Sequence, residues 1–237
     1  DTLARLPGSN RSFSMDTDGD GRREIIVMMS QAREGIYRIG SAGPEPILTF
    51  PPQFGLSDVD TADINLDGHT DLIVVNGDNA DYSNIAKAYH GVRIYLNDGS
   101  GQFDESYFYP IYGATKVQSI DVEADGNFEF VVAAYFPQGD AKSAILLFRK
   151  AGDTPQLSYN ISKFNSADRG RWMTMEKGDV DQDGDTDLIL GSFTMGPTPM
   201  PGTIVKDWND ASVDVLILRN RGQLPTRVND RTARLNR

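Results

Sequence analysis

The chain contains no cysteine and only two histidines among its 237 residues. Without cysteine it can form neither disulfides nor thiolate metal sites. His69 and His90 are too few, and too different in setting, for a histidine-based acid–base pair, and the sequence has no G-x-S-x-G motif and no phosphate-binding glycine loop. No apolar run approaches the roughly 20 residues of a membrane span. These absences leave no residue to propose as catalytic and argue against the common hydrolase and nucleotide-binding classes.

Basic residues are also few relative to acids. The chain has 34 Asp plus Glu against 23 Lys plus Arg, a formal net charge of -11 and a pI of about 4.6. Such a surface repels phosphate backbones, so a nucleic-acid partner is not expected. The charged fraction of 24% is ordinary for a folded soluble protein and does not indicate disorder.

The acids are concentrated in a motif that occurs four times. The rule D-x-[DNE]-x-D-G-x-x-[DE], followed by three or four apolar residues, fits "DTDGDGRREIIVM", "DINLDGHTDLIVV", "DVEADGNFEFVVA" and "DVDQDGDTDLILG", which start at Asp16, Asp63, Asp121 and Asp179. The start-to-start spacings are 47, 58 and 58 residues. This period suits a four-stranded propeller blade with variable loops and is too long for an ankyrin or tetratricopeptide unit.

Each repeat reads as four short strands rich in Val, Ile, Phe and Tyr, bounded by Gly, Asp, Asn and Pro. No segment shows a sustained apolar period of 3.6 residues over a helical length. The sequence therefore predicts an all-β fold of four-stranded antiparallel units. We place all four in a single region, 1–237, with units at about 9–50, 54–112, 115–165 and 170–230. The last strand of the fourth unit, "LPTRVND", is the weakest of these predictions.

The acidic loops have the spacing of a hard-cation site. Side chains at positions 1, 3 and 5 of a tight loop converge, the glycine at position 6 permits the turn, and oxygen-only ligands suit Ca²⁺. Positions 1, 3, 5 and 9 would bind through side chains and position 7 through its carbonyl. In order of position, the candidate metal ligands of loops 1 to 4 are Asp16, Asp18, Asp20, Arg22 and Glu24; Asp63, Asn65, Asp67, His69 and Asp71; Asp121, Glu123, Asp125, Asn127 and Glu129; and Asp179, Asp181, Asp183, Asp185 and Asp187. Up to four Ca²⁺ are expected, one per loop.

Two other kinds of loop share part of this pattern. An EF-hand needs a bidentate Glu at position 12, but that position is apolar in all four loops, so an EF-hand is rejected. Asp-Gly is also a common hairpin turn, and acidic turns can simply be solvated; agreement of four loops at five positions argues against this. Loop 3 is expected to be the weakest site because Glu123 is longer than Asp, and loop 2 carries one fewer charge.

The four units resemble FG-GAP or VCBS repeats, the calcium-loop blades of integrin-α-type β-propellers, most closely in "DINLDGHTDLIVVNG" followed by "GVRIYLNDGSGQF". The resemblance implies a propeller with calcium loops between the first and second strands of each blade and ligand-binding loops on the opposite face. Such propellers usually have seven blades. We interpret the four as consecutive blades of a larger propeller, completed by the same precursor or another chain; a closed four-bladed ring is the alternative.

The function we expect is a calcium-stabilised binding or adhesion module at an extracellular, periplasmic or cell-surface location, with a protein or carbohydrate ligand. The long loops after the second strand of units 2 and 4 are where binding is expected. Their candidate contacts are Tyr82, Tyr89, His90 and Trp208, although Trp208 could instead cover a sheet edge. The alternative is a carbohydrate-active propeller, a polysaccharide lyase or a lectin, which rests on fold analogy alone.

Overall fold

A computed structural model of the chain describes residues 8–30, 33–78, 85–135, 137, 139–152, 156–195 and 200–221. Within these residues, fifteen strands form four antiparallel sheets. The strands are β1 Ser9–Met15, β2 Glu24–Met29, β3 Gly35–Gly40, β4 Gly43–Thr49, β5 Leu56–Ala62, β6 Asp71–Asn76, β7 Gly91–Asn97, β8 Phe103–Pro110, β9 Ala114–Ile120, β10 Glu129–Ala134, β11 Ile145–Lys150, β12 Tyr159–Lys163, β13 Trp172–Gly178, β14 Asp187–Ser192 and β15 Val215–Leu218.

The sheets follow one another along the chain, and strands adjacent in sequence are adjacent in each sheet. Sheets I, II and III hold β1–β4, β5–β8 and β9–β12, and sheet IV holds β13–β15. The predicted all-β organisation is confirmed, with four strands in each of the first three sheets. Residues 224–230, predicted as the fourth strand of sheet IV, lie outside the described residues.

Three apolar clusters lie between successive sheets, I with II, II with III, and III with IV. All six residues of β6 and of β10 are buried, because each of these strands has a neighbouring sheet on both faces. Full burial of one branched or aromatic side chain contributes about 1.5–3 kcal/mol. The stacking of sheets thus supplies the core that one sheet could not form alone.

The two end sheets each expose an apolar face. Ile25 in β2 is 40% exposed, although the residues that share its register position in the other sheets are wholly buried by the preceding sheet: Leu72, Phe130 and Leu188. Val215 in β15 is 60% exposed, although its equivalents are wholly buried by the following sheet: Ile36, Val92 and Ile145. The same pattern of side chains is therefore buried inside the array and exposed at its ends.

The first strands of the sheets are joined by charged side chains. Arg11 Nη1 of β1 lies 2.6 Å from Asp58 Oδ1 of β5. Lys177 Nζ of β13 lies 3.2 Å from Asp60 Oδ2 of β5 and donates to the carbonyl and hydroxyl oxygens of Ser119 in β9 at 2.9 and 3.0 Å. One lysine thus connects sheet IV to sheet II past the intervening sheet III.

One helix was not predicted from the sequence. Helix α1, Gly202–Ala211, lies in the connection between β14 and β15, against the 3-10 helix Ala167–Arg169; a second 3-10 helix is Ala141–Ala144. The apolar stripe of α1 spans little more than one turn, which is too short to be recognised in the sequence as a helical period. Within the described residues, none of the helices has the length and apolar character needed to span a bilayer.

Candidate metal sites

In each of the four acidic loops the first aspartate accepts two backbone N–H groups of its own loop. In loop 1 the two carboxylate oxygens of Asp16 accept the backbone N–H groups of Gly19 and Gly21, at 2.8 and 2.9 Å. The first aspartates of the other loops accept the N–H groups of positions 5 and 6 at 2.9–3.2 Å: Asp63, Asp121 and Asp179. Each loop connects the first and second strands of its sheet, as the sequence predicted.

The glycine at position 6 is required by its backbone conformation and not by crowding. Gly21, Gly68, Gly126 and Gly184 have φ of 83°, 90°, 85° and 94°. A Cβ added at any of the four would meet no atom within 4 Å. Because only glycine adopts such φ values freely, this position turns the loop around the first aspartate.

The acid at position 9 is buried in loops 2, 3 and 4. Asp71 and Asp187 are wholly buried and Glu129 nearly so. Their carboxylates accept the N–H of position 2 in the same loop, for example Ile64 to Asp71 Oδ2 at 2.8 Å. Burial raises the pKa of Asp71 to about 6, and burial together with nearby Glu123 raises the pKa of Glu129 to about 7. A freely solvated hairpin turn would not bury this carboxyl group.

In loops 1 and 4 the carboxylates already converge. One oxygen from each of three acids lies within 4.8 Å of the others in both loops: Asp16, Asp18 and Glu24, and Asp179, Asp181 and Asp187. The donor set is composed of oxygen alone, which is the chemistry that Ca²⁺ requires. These residues fit a bound hard cation.

Loops 2 and 3 are arranged differently at position 3. The Asn65 amide donates to Asp67 Oδ2 at 2.7 Å, so two candidate ligands are hydrogen-bonded to each other. In loop 3, Glu123 is turned toward Arg149 at 3.5 Å. Both loops keep the buried acid at position 9.

Positions 5 and 7 are joined within the loops. The aspartate at position 5 accepts the backbone N–H of position 7 at 2.8–3.0 Å in all four: Asp20 with Arg22, Asp67 with His69, Asp125 with Asn127, and Asp183 with Asp185. The predicted role of the position 7 carbonyl as a ligand stays a prediction.

Arginines from the third strands face the acids at position 3. Arg38 lies 3.6 Å from Asp18, Arg149 lies 3.5 Å from Glu123, and Arg219 hydrogen-bonds Asp181. In unit 2, where position 3 is the neutral Asn65, the residue in register with Arg149 and Arg219 is Leu96. Guanidinium groups therefore accompany the acidic residues at this position.

Sequence reasoning missed these arginines and two buried asparagines, Asn97 and Asn220, which contact the buried acids of loops 2 and 4. A signal was present: both asparagines follow the third strand's apolar run, in "RIYLN" and "LILRN". Only strand register shows that the two segments are equivalent.

On the opposite face, two of the four candidate ligand contacts are buried. His90 is buried, because it packs edge-on against the Tyr89 ring at 4.9 Å between ring centroids. Trp208 is buried on α1, in keeping with the alternative that it folds inward and is not a ligand contact. Tyr82 lies outside the described residues.

Tyr89 remains available on that face. Its side chain is 42% exposed, its hydroxyl donates to the Gln53 carbonyl at 3.2 Å, and its ring stacks on Phe54 with 6.5 Å between centroids. Phe54 in turn stacks on Phe50 at 4.4 Å. The exposed ring is therefore held in a fixed orientation by aromatic neighbours.

Comparison with known proteins matches residues 16–74 to the family model of the FG-GAP-like repeat, which confirms the repeat predicted from the sequence over that range. Among solved structures, a lectin from Agrocybe aegerita, described as recognising non-reducing terminal N-acetylglucosamine, is similar at 17% identity and a TM-score of 0.44 over 78% of this chain and 48% of that one. The chain thus spans about half of the lectin's length. The BBS1N–ARL6DN complex is similar at 11% identity and a TM-score of 0.35 over 78% and 76%. No curated protein matches the chain.

Proposed function

We propose that this chain, which carries an FG-GAP-like repeat at residues 16–74 and the same loop motif twice more, is a calcium-stabilised binding module. One observation is the main support for bound calcium. Asp71 and Asp187 are wholly buried and each accepts two backbone N–H groups, but neither forms an ion pair within the described part of the chain. A buried charge without a counter-ion costs several kcal/mol. A divalent cation held among positions 1, 3, 5 and 9 would offset that cost.

Calcium fits this donor set better than the other common divalent ions. Zinc prefers nitrogen and sulfur ligands, and magnesium demands near-ideal octahedral geometry with several waters. Loops of four side-chain oxygens and one carbonyl suit the 6–8 oxygen ligands of calcium. Sites of this kind serve as structural staples at a Kd of about 10⁻⁴–10⁻³ M only where calcium is abundant, which favours an extracellular, periplasmic or cell-surface location.

The test is a calorimetric titration of the full chain with CaCl₂ after chelation, together with melting curves in calcium and in EDTA. We expect calcium to raise the melting temperature and Asp183→Asn to remove one bound ion. Asp104→Asn is the matched control, since Asp104 is an exposed acid outside the loops. Melting that is identical in calcium and in EDTA, with no binding heat, would refute structural calcium.

We also propose that the four sheets are consecutive blades of a propeller. Support comes from Lys177, whose contact with Asp60 requires the first strands of sheets II and IV to approach each other around sheet III. Further support comes from the exposed end faces at Ile25 and Val215, which match faces that are buried inside the array. We infer that a further sheet of this repeat type covers each end.

The ligand-binding face is the one opposite the calcium loops, with Tyr89 as its fixed aromatic contact. Aromatic rings suit both protein interfaces and the apolar faces of sugars. The probe is a panel of immobilised glycans, with loss of any binding expected in Tyr89→Ala. Leu66→Ala is the control, because Leu66 is also an exposed apolar side chain but lies in loop 2. Release of unsaturated products from acidic polysaccharides would instead support the lyase alternative and defeat the binding module.

A further inference from the structure

Asn97 connects the candidate metal loops of two neighbouring units. It is buried at the end of β7. Its backbone N–H donates to Asp71 Oδ1, the position 9 acid of loop 2, at 2.9 Å. Its side-chain amide donates to the carbonyl of Thr17, position 2 of loop 1, at 3.1 Å.

Asn220 repeats this arrangement in the second half of the chain. It is equally buried, its backbone N–H donates to Asp187 Oδ1 of loop 4 at 2.8 Å, and its amide donates to the carbonyl of Val122 in loop 3 at 2.9 Å. The two asparagines hold the same register position in their sheets, 123 residues apart in sequence.

The connection extends to the second acid of each pair. The N–H of Thr17 donates to Glu24 Oε2 at 2.8 Å, and the N–H of Val122 donates to Glu129 Oε2 at 3.0 Å. One residue and one asparagine therefore stand between the position 9 acids of loops 1 and 2, and likewise between those of loops 3 and 4. In unit 3 the position equivalent to Asn97 is Lys150, so the asparagine connection is not repeated between loops 2 and 3.

We propose that the four loops bind cations as two coupled pairs, 1 with 2 and 3 with 4, and that Asn97 and Asn220 are the positioning residues. The inference rests on the proposed calcium function. An ion drawn to Glu24 orders Thr17 and the peptide units on either side of it, which fixes the Asn97 amide and with it the N–H that orients Asp71. The second ion then meets a loop already ordered, so it binds more tightly than it would alone.

The experiment compares full-length chains that each retain two loops, titrated with CaCl₂ by calorimetry. Asp125→Ala with Asp183→Ala leaves loops 1 and 2, a connected pair. Asp67→Ala with Asp125→Ala leaves loops 1 and 4, which are not connected. We expect the connected pair to bind its second ion about fivefold or more tightly than its first, the lower range of measured coupling between sites, and the unconnected pair to bind independently.

Asn97→Ala in the chain with loops 1 and 2 is expected to abolish the coupling, whereas Asn220→Ala in that chain leaves it unchanged. A general loss of stability would not produce this selectivity. Independent filling of loops 1 and 2, or equal coupling in loops 1 and 4, would overturn the inference while leaving calcium binding intact. Because the comparison of the two pairings needs no asparagine variant, it decides the matter even if Asn97→Ala does not fold. Failure of every chain to bind calcium would overturn the proposed function itself.

Discussion

Arg149 Nε lies 3.5 Å from Glu123 Oε1, so a cationic side chain of β11 faces position 3 of loop 3. The arginine partly neutralises the loop when no metal is bound. It also places a positive charge beside the cation that the loop is proposed to hold.

Replacing Arg149 by Ala is therefore expected to raise the calcium affinity of loop 3. Exposed ion pairs are worth about 0.2–1 kcal/mol, so the gain should be about 1.4- to fivefold. Calorimetry on a chain with the other loops disabled measures it. The reciprocal change, Leu96→Arg, introduces the same charge beside loop 2 and should weaken that site; an unchanged affinity in both variants would contradict this role.

Gly184→Ala should destabilise the protein although the added methyl group touches nothing. The φ of 94° is unfavourable for alanine, and the expected cost is about 1–2 kcal/mol. Gly178→Ala is the matched control: it has equal space around the added Cβ but lies in β13 without a positive φ. Urea unfolding of both variants separates the two effects, and equal midpoints would contradict the backbone explanation.

The metal-free protein should become more stable as pH falls from about 7 toward 4. Asp71 and Glu129 have pKa values raised to about 6 and 7, so the folded state binds protons more readily than the unfolded chain, and their stabilising contribution is lost as pH rises through those values. Hydrogen bonds lower the pKa of three other carboxyl groups, Asp98, Asp125 and Asp140. The stability that they contribute to the protein is lost only when the pH falls below about 4.

Thermal melting in EDTA across this range tests the prediction, with Asp71→Asn as the comparison. The variant should flatten the pH dependence and should be more stable than the parent at pH 7 in EDTA. Saturating calcium should reverse the trend in the parent, because protons compete with the cation for the same carboxylates. A variant with the parent's full pH slope would show that Asp71 does not contribute.

Val215 provides a test of the end faces. In the isolated chain, the sheet that can cover β15 is that of a second copy, so we expect concentration-dependent association that Val215→Ser reduces with little change in melting temperature. Val92→Ser, at the buried equivalent position, should instead lower stability by about 1–3 kcal/mol. Sedimentation over a range of protein concentrations is the measurement, and a parent chain that stays monomeric throughout would contradict this use of the face.

Much of the fold could be predicted from the sequence because it repeats. The alternation of apolar residues and the Asp-Gly turns located the first two strands of every sheet. Because the same pattern occurs four times, a strand that matches it poorly in one unit could be placed by comparison with the others. Helix α1 was missed because its apolar residues, centred on Trp208, are too few to define a period.

The candidate sites were predictable only in their local part. Loop positions such as Asp179 and Gly184 are set by residues close in sequence, and spacing alone places them. Contacts of Asn97 with Thr17 join residues 80 apart, and they depend on how sheets I and II pack. The burial of His90, and the choice between an exposed and an inward-folded Trp208, could not be predicted for the same reason, since loop length indicates exposure on average but does not show which side chain folds inward.

The contact between Lys177 and Asp60 also has a mechanical consequence. The separation of β5 and β13 cannot exceed the reach of one lysine side chain, so straightening the array would break a part-buried ion pair and two hydrogen bonds to Ser119 at once. Resistance to bending is therefore located at the first strands of the sheets, at the ends that lead into the acidic loops: Lys177 lies two residues before Asp179, and Ser119 lies two residues before Asp121.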